Sequence, residues 1–308
     1  MNNTKEDNKI KLTKPFLKWV GGKTQIIDNI INKFPKKINN YYEPFVGGGS
    51  VLFALLSLQK QDKIIIKNKI YAYDINENLI NVYKNIQFNK DELYKYIELY
   101  INEYDNIKGD IINRKPLTIE DAKTSKESYY YWIRNKYNNI DKNSIECSAL
   151  FMCINKLCFR GMYRESVNSG FNVPYGHYKK TPIIITKDYL DYISNFIQDV
   201  NFICCDYNLS IKNVKKGDFI YLDPPYVPEN INSFVGYSVN GFNLGEHHNL
   251  FDNIKKLNSK KIKFIMSNSK VKLINDIFKD YKYENIIARR AINSKNPSST
   301  TTEVIIYN

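Results

Sequence analysis

The sequence predicts an α/β protein, a doubly wound sheet interrupted by an inserted, mainly helical unit. Three observations carry this. A strand, a glycine loop, a helix and a second strand follow one another near the N-terminus. Strand-like and helix-like segments alternate again over the last third of the chain. Between the two lies a stretch in which Ile, Leu and Tyr recur at helical spacing, with no clear strand. At 308 residues, the chain has room for about two domains, or one α/β domain with a sizeable insertion.

In chain order, residues 1–14 read as a polar tail. A short apolar run and the Gly21-Gly22 turn precede a helix-like stretch, Gln25 to Phe34, ended by Pro35. Tyr41–Val46 reads as a strand, Gly47–Gly49 as a tight loop, Ser50–Leu58 as an apolar helix, and Ile70–Tyr73 as a second strand closing on Asp74. This is one βαβ unit. Helical spacing runs from about Asn81 to Lys142, interrupted at Lys115-Pro116, and Ile145–Leu157 is a compact apolar helix. Strands are then expected at Phe202–Cys205, Phe219–Leu222, Lys263–Ser267, Tyr283–Ala288 and Glu303–Tyr307. Helices are expected at Glu246–Leu257 and Val271–Phe278. The sheet domain is therefore assigned to 1–80 and 195–308, and the helical insertion to 81–194.

Composition narrows the function classes. Apolar residues make up 43% and aromatics 14% of the chain, which supplies a core and excludes disordered and fibrous classes. No apolar run approaches the ~20 residues of a membrane span, and the polar N-terminus lacks the apolar centre of a secretory signal. An intracellular location, cytoplasm or nucleoid, follows as an expectation. Lys and Arg exceed Asp and Glu by 45 to 32, a formal charge of +13 that suits a polyanionic partner. The five cysteines (147, 153, 158, 204, 205) form no C-x-x-C. The histidines (177, 247, 248) stand at no ligand spacing to them, so neither a zinc site nor a disulfide framework is expected.

Three constellations carry chemistry. In Glu43-Pro44-Phe45-Val46-Gly47-Gly48-Gly49-Ser50, three glycines at a strand's carboxyl end let the backbone turn sharply beside a ligand. Phe53 stands where a dinucleotide fingerprint needs its last glycine, and no Gly-Lys-Ser/Thr follows, so dinucleotide and triphosphate binding are disfavoured. Asp74, ending the next strand, is placed to accept hydrogen bonds from a ribose diol; a structural turn with a capping aspartate accounts for the same residues. In Asp223-Pro224-Pro225-Tyr226, two prolines fix φ and make a rigid loop. That loop offers a carboxylate, backbone carbonyls and a ring face, a set suited to a planar amine. Phe16-Leu17-Lys18-Trp19-Val20-Gly21-Gly22-Lys23 places a lysine and a tryptophan beside a Gly-Gly turn.

Taken in order, Phe16–Lys23, Glu43–Gly49, Tyr71–Asn76 and Asp223–Tyr226 resemble the signature segments of adenine-specific DNA methyltransferases of the Dam type (the D12 class, with the alpha-group order of motifs). The likeness runs from about Lys14 to Tyr307. It includes Gly170–Gly176, similar to the family's recognition hairpin. The resemblance implies a Rossmann-like sheet that binds S-adenosylmethionine as methyl donor, with the insertion reading duplex DNA. GATC is the expected site, the adenine is flipped out, and no metal is required.

By the same resemblance, Trp19, Lys23, Glu43, Pro44, Phe45, Gly47, Gly48, Gly49, Ser50, Asp74, Ile75, Asp206 and Asp223 line the cofactor site. Asp223, Pro224, Pro225 and Tyr226 hold the target base. Lys18, Arg160, Met162, Tyr163, Arg164, Asn172, Pro174, Tyr175 and Lys179 contact DNA, with Arg164 in the place of the guanine-reading arginine. Arg160 stands where the family usually has a short polar residue, and His177 replaces a more usual arginine. Arg289, Arg290, Ser294 and Glu303 resemble the family's last segment, and Ser267-Asn268 ends a strand near the site. A restriction endonuclease partner fits the same family. Asp-Pro-Pro-Tyr loops also serve methyltransferases acting on RNA adenine or protein glutamine, so these remain the alternative. A non-catalytic DNA-binding protein would leave both loops unexplained.

Overall fold

The computed structural model describes residues 10–228, 242–289 and 300–308. A 3-10 turn (Lys23–Gln25) leads to α1 (Ile27–Ile31), β1 (Lys37–Ile38), β2 (Tyr41–Glu43), α2 (Ser50–Lys60), β3 (Ile65–Ile66), β4 (Ile70–Asp74) and α3 (Glu77–Phe88). There follow α4 (Lys90–Asp105), α5 (Ile119–Ala122), α6 (Lys126–Asn139), α7 (Ile145–Leu157), β5 (Glu165–Ser166), β6 (Gly170–Phe171) and α8 (Lys187–Phe196). Then come β7 (Val200–Cys204), α9 (Tyr207–Ile211), β8 (Phe219–Leu222), α10 (Leu244–Ser259), β9 (Lys263–Ser269), α11 (Lys272–Ile277), β10 (Lys282–Arg289) and β11 (Thr300–Tyr307).

Seven strands form the central sheet in the order β10-β11-β9-β8-β2-β4-β7. β9, β8, β2, β4 and β7 run parallel, while β11 lies antiparallel between β9 and β10. Alternation along the strands explains why both faces are covered. Tyr41, Phe219, Tyr221, Ile265 and Ile305 face one core, shared with α1, α2 and α3. Tyr42, Ile220, Leu222, Phe264, Met266, Val304 and Ile306 face the other, with α9, α10 and α11. From β2 the chain winds outward to β4 and β7 on one side and later to β8 and β9 on the other. The switch point therefore lies between β2 and β8, and ligands of open α/β sheets bind there, beyond the carboxyl ends.

The helical stretch between β4 and β7 is not set apart from this core. Tyr83 on α3 stacks on Phe202 of β7, 4.5 Å between ring centres, and Gln87 Nε2 donates to Ile197 O and Val200 O at 2.8 and 2.9 Å. One continuous apolar cluster runs from the sheet through α3 into α4, α6 and α7. The boundaries 81 and 194 accordingly fall inside α3 and α8.

Other differences from the expected elements have local causes. The strand from Tyr41 ends at Glu43, because Pro44 has no N–H to continue a ladder. The helix expected over Gln25–Phe34 divides at Ile26 (φ −117°) into a 3-10 turn and α1. Its end tightens into i→i+3 bonds at Lys33 and Phe34. Gly170–Gly176 is not itself a hairpin. The antiparallel pair is β5 with β6, and residues beyond it return to pair with the end of α7, through Phe159 N to Pro174 O and Gly176 N to Leu157 O.

Candidate active site

The glycine loop joins β2 to α2 at the switch point. Gly47 and Gly49 adopt φ of +48° and +76°, where side chains are strained. Close packing adds a second reason for glycine. A Cβ on Gly48 would lie 2.7 Å from Trp19 Cβ, and one on Gly49 2.8 Å from the Tyr83 hydroxyl. Asp74 braces the loop from β4. Its Oδ2 accepts from Gly47 N and its Oδ1 from Asn76 N, both at 3.0 Å, while Tyr83 donates to Gly47 O at 2.9 Å. Burial pushes the Asp74 carboxyl up, and these backbone donors oppose that. Beside it Ile75 is 75% exposed, a bare aliphatic surface at the strand's end.

Pro44 is buried and Ser50 half-buried at the start of α2. Phe45 stacks on Tyr207, and Asp206 caps α9 at the end of β7. Glu43 turns inward: it is buried and accepts from the Tyr41 hydroxyl at 2.7 Å. Burial, with a contribution from nearby Asp223, pushes its pKa up to about 8.

Across the switch point, Asp223 follows β8. Lys23, only 4% exposed, places its Nζ 2.7 Å from Asp223 Oδ2 and 4.9 Å from the centre of the Tyr226 ring. It also donates to Gly21 O. Lys23, expected among cofactor ligands, is thus held on the Asp-Pro-Pro-Tyr loop. Asp223 Oδ1 is buried and has no hydrogen-bond partner among the described residues. Burial raises this carboxyl to about 6, with Lys23 pulling the other way.

Pro225 is exposed and Pro224 buried. The Tyr226 hydroxyl donates to Glu303 Oε2 on β11 at 2.7 Å. At the end of β9, Asn268 Oδ1 accepts from Val227 N at 3.0 Å, and Ser269 Oγ donates to Val227 O. Glu303 and Asn268 therefore tether the loop, a role their weak sequence signal did not specify. Arg290 and Ser294 lie outside the described residues, as do residues 1–9 of the polar tail.

The other expected residues divide by exposure. Arg164 is exposed and donates through Nε to Asn172 Oδ1 and through Nη2 to Asn172 O. Arg160 takes φ +57° at a turn, with its guanidinium 5.2 Å from the Phe159 ring. Pro174 and Lys179 are exposed, and Met162 is half-buried. Tyr163 stacks on Trp19 with centres 5.3 Å apart. Lys18 is half-buried, its Nζ donating to the Tyr178 hydroxyl at 3.2 Å. Tyr175 is placed otherwise than expected. It is 7% exposed and its hydroxyl is bonded to that of Tyr104, so it is core packing with no free ring face.

A carboxylate with one bare oxygen beside a ring and a glycine cradle suits a planar amine, and comparison with known proteins agrees. Residues 19–292 match the family described as D12 class N6 adenine-specific DNA methyltransferase. The chain belongs to this family. It is 35% identical over 294 residues to the type II methyltransferase M.MjaIII of Methanocaldococcus jannaschii, covering 92% of this chain and 93% of that protein. It is 34% identical over 313 residues to the type II methyltransferase M1.LlaDCHI of Lactococcus lactis subsp. cremoris, covering 99% of each. With the DNA adenine methylase of Haemophilus influenzae it shares 31% over 286 residues, 92% of this chain and 89% of that one. As a D12-class member it is an adenine-specific DNA methyltransferase. No helix among the described residues is long and apolar enough to cross a membrane.

Proposed function

We propose that this D12-class enzyme transfers a methyl group from S-adenosylmethionine to N6 of an adenine flipped out of duplex DNA, with GATC as its site. The observation that carries the mechanism is the division of labour on Asp223: Oδ2 held by Lys23, Oδ1 buried and without a hydrogen-bond partner among the described residues. An adenine amine delivered there satisfies that oxygen.

The cradle fits the donor. Among the described residues the hydrogen bonds to Asp74 come from backbone N–H groups, so each oxygen keeps a lone pair for a ribose hydroxyl. A carboxylate there repels a phosphate, and exposed Ile75 offers a surface for an adenine ring. Trp19, Phe45, Gly47, Gly48, Gly49, Ser50 and Asp206 complete the site. S-adenosylmethionine, when bound, supplies an electrophilic methyl on a sulfonium.

The chain's residues do the rest by positioning. An adenine amine is a poor nucleophile because its lone pair is delocalised into the ring. Accepting its two N–H groups on Asp223 Oδ1 and the Pro224 carbonyl favours a pyramidal nitrogen with a localised lone pair. Lys23 keeps the carboxylate charged, and Tyr226, fixed by Glu303 through its hydroxyl, presents its ring to the base. Flipping costs a few kcal/mol, and stacking on Tyr226 offsets ~1–3 kcal/mol of that.

DNA is read by the helical insertion acting as a recognition unit. Lys18, Arg160, Met162, Arg164, Asn172, Pro174 and Lys179 face the duplex, with Arg164 on a guanine. Of the aromatics interleaved with these cations, Phe171 and Tyr175 are buried, whereas Phe159 is 39% exposed at the turn. Phe159 therefore suits the gap a flipped base leaves. The type II names of two relatives support a restriction endonuclease partner for this chain as well. The test is methylation of an unmodified genome followed by single-molecule sequencing, which gives base and site together. N6-methyladenine confined to GATC is expected. Modification at another motif overturns the site, and label found only in RNA or protein glutamine overturns the substrate.

A further inference from the structure

Lys18 and Trp19 form a bridge between the two halves of the site. Trp19 lies against the glycine loop and stacks on Tyr163 and Phe151 of the helical insertion. Lys18, one residue earlier, is gripped by the insertion. Asn155 of α7, 2% exposed, accepts from Lys18 N through Oδ1 at 3.0 Å and donates to Lys18 O through Nδ2 at 2.7 Å. A side-chain amide thus pairs with both backbone groups of a residue 137 positions away, as a neighbouring strand would. Gly161 closes on the same residue, since a Cβ there would lie 2.3 Å from Lys18 Cβ. The Tyr178 hydroxyl accepts from the Lys18 ammonium at 3.2 Å and in turn donates to Cys158 O at 2.9 Å.

We propose that Asn155 is a positioning residue. By fixing the Lys18 backbone it sets where the Lys18 ammonium meets DNA and where Trp19 sits between the cofactor loop and Tyr163. Sequence discrimination and cofactor binding are therefore coupled through one amide. This rests on the assignment of Lys18 to DNA and Trp19 to the cofactor. The geometry demands an amide specifically. Alanine removes both bonds. Aspartate keeps an acceptor for Lys18 N but sets a second oxygen against Lys18 O, in a buried place where neither is satisfied.

The experiment measures methylation rates on the preferred duplex and its single-base variants for wild type, Asn155→Ala, Asn155→Asp, Lys18→Ala and the Asn155→Ala/Lys18→Ala pair. Product analysis of wild type comes first: absence of N6-methyladenine in duplex DNA overturns the proposed function, before any variant is compared. Asn155→Ala and Lys18→Ala are each expected to lower discrimination roughly tenfold, as loss of one or two buried hydrogen bonds would. Asn155→Asp should do at least as badly as Asn155→Ala. The pair should lose no more than the worse single variant. Losses that multiply in the pair, discrimination unchanged in Lys18→Ala, or an Asn155→Asp enzyme that discriminates like wild type would each overturn the proposal.

Fluorescence gives a readout that a general loss of stability does not move. The chain has two tryptophans, so Trp132→Phe leaves Trp19 as the reporter. Asn155→Ala in that background should shift Trp19 emission well below its melting temperature. Unchanged emission would overturn the placement of Trp19 by Asn155.

Discussion

The glycine loop after β2 and the Arg164–Gly176 segment both bring backbone close to a proposed ligand, but they are held differently. The loop is fixed by its own conformation and by neighbours at strand ends: left-handed glycines, Asp74 on its amide, Tyr83 on its carbonyl. The Arg164–Gly176 segment is fixed by side chains from distant helices. On α6, Tyr130 and Arg134 donate to Val173 O at 2.7 and 3.1 Å. Asn138 accepts from Phe171 N and donates to Phe171 O. Asn172 in turn holds Arg164. A loop stabilised locally can be conserved in shape by a few adjacent residues. A segment stabilised from afar can have its side chains re-aimed by changes on α6 or α7 without touching the chemistry.

The largest test lies on the chemical side. Asp223→Ala should lower methyl transfer by about 10³-fold or more, at or beyond the cost of removing one preorganised polar partner, while cofactor affinity stays within tenfold. Single-turnover rates and calorimetry of cofactor binding measure the two. Turnover near wild type would break the amine clamp. Asp223→Asn leaves one acceptor but unpairs buried Lys23, so it too should be slow.

The same residue sets a pH limit. Burial holds the Asp223 carboxyl at about 6, above an ordinary aspartate. Its charged, amine-accepting form is therefore populated above that value and lost as pH falls through it. Methylation at subsaturating DNA should fall about tenfold per pH unit below roughly pH 6. A flat profile down to pH 5 would show that Asp223 titrates lower than its burial implies. Folding runs the other way: because the folded-state pKa is raised, this carboxyl's contribution to stability is full below the unfolded value near 4 and is lost as pH rises through 6.

What was legible in the sequence follows the same division. Ile145–Leu157 and Phe219–Leu222 were bounded by their apolar patterns alone, and the Asp-Pro-Pro-Tyr and triple-glycine segments announce themselves because their chemistry is contiguous. The Asn155–Lys18 and Asn138–Phe171 clasps had no such signal. An asparagine inside a helical pattern looks the same whether it faces water or a backbone more than a hundred residues away. Tyr175 shows the same limit: an aromatic among lysines reads as a surface residue, whereas its burial and its hydroxyl bond to Tyr104 on α4 place it in the core. Lys23 and Asp223 are both expected at the cofactor site, but their ion pair across 200 positions of sequence has no signal in it.

A smaller effect probes how tightly the local loop is packed. Gly48→Ala places a Cβ 2.7 Å from Trp19 Cβ, so Trp19 must shift. Overpacking of this kind costs ~1–3 kcal/mol. Weaker cofactor binding and a lower melting temperature should appear together, with discrimination between DNA sites reduced as far as Trp19 carries Tyr163 with it. Wild-type cofactor affinity would show that the loop yields without disturbing the site.

The smallest effects separate reading from gripping. Arg164 is exposed but aimed, because Asn172 holds its guanidinium through two bonds. A bidentate arginine on guanine discriminates by ~1–3 kcal/mol. Arg164→Ala should therefore erase preference at one guanine position and leave the other positions alone. Asn172→Ala, which frees the arginine without removing it, should lose part of that preference at the same position. Lys179 is exposed, and as a phosphate contact its replacement by alanine should weaken binding about equally on every sequence and lower the salt slope by about one unit. Rates on the preferred site and each single-base variant, for all three variants, decide the matter. If Arg164→Ala slows every site by one factor, then Arg164 grips the backbone as Lys179 does, and the long-range scaffold on α6 aims something other than this arginine.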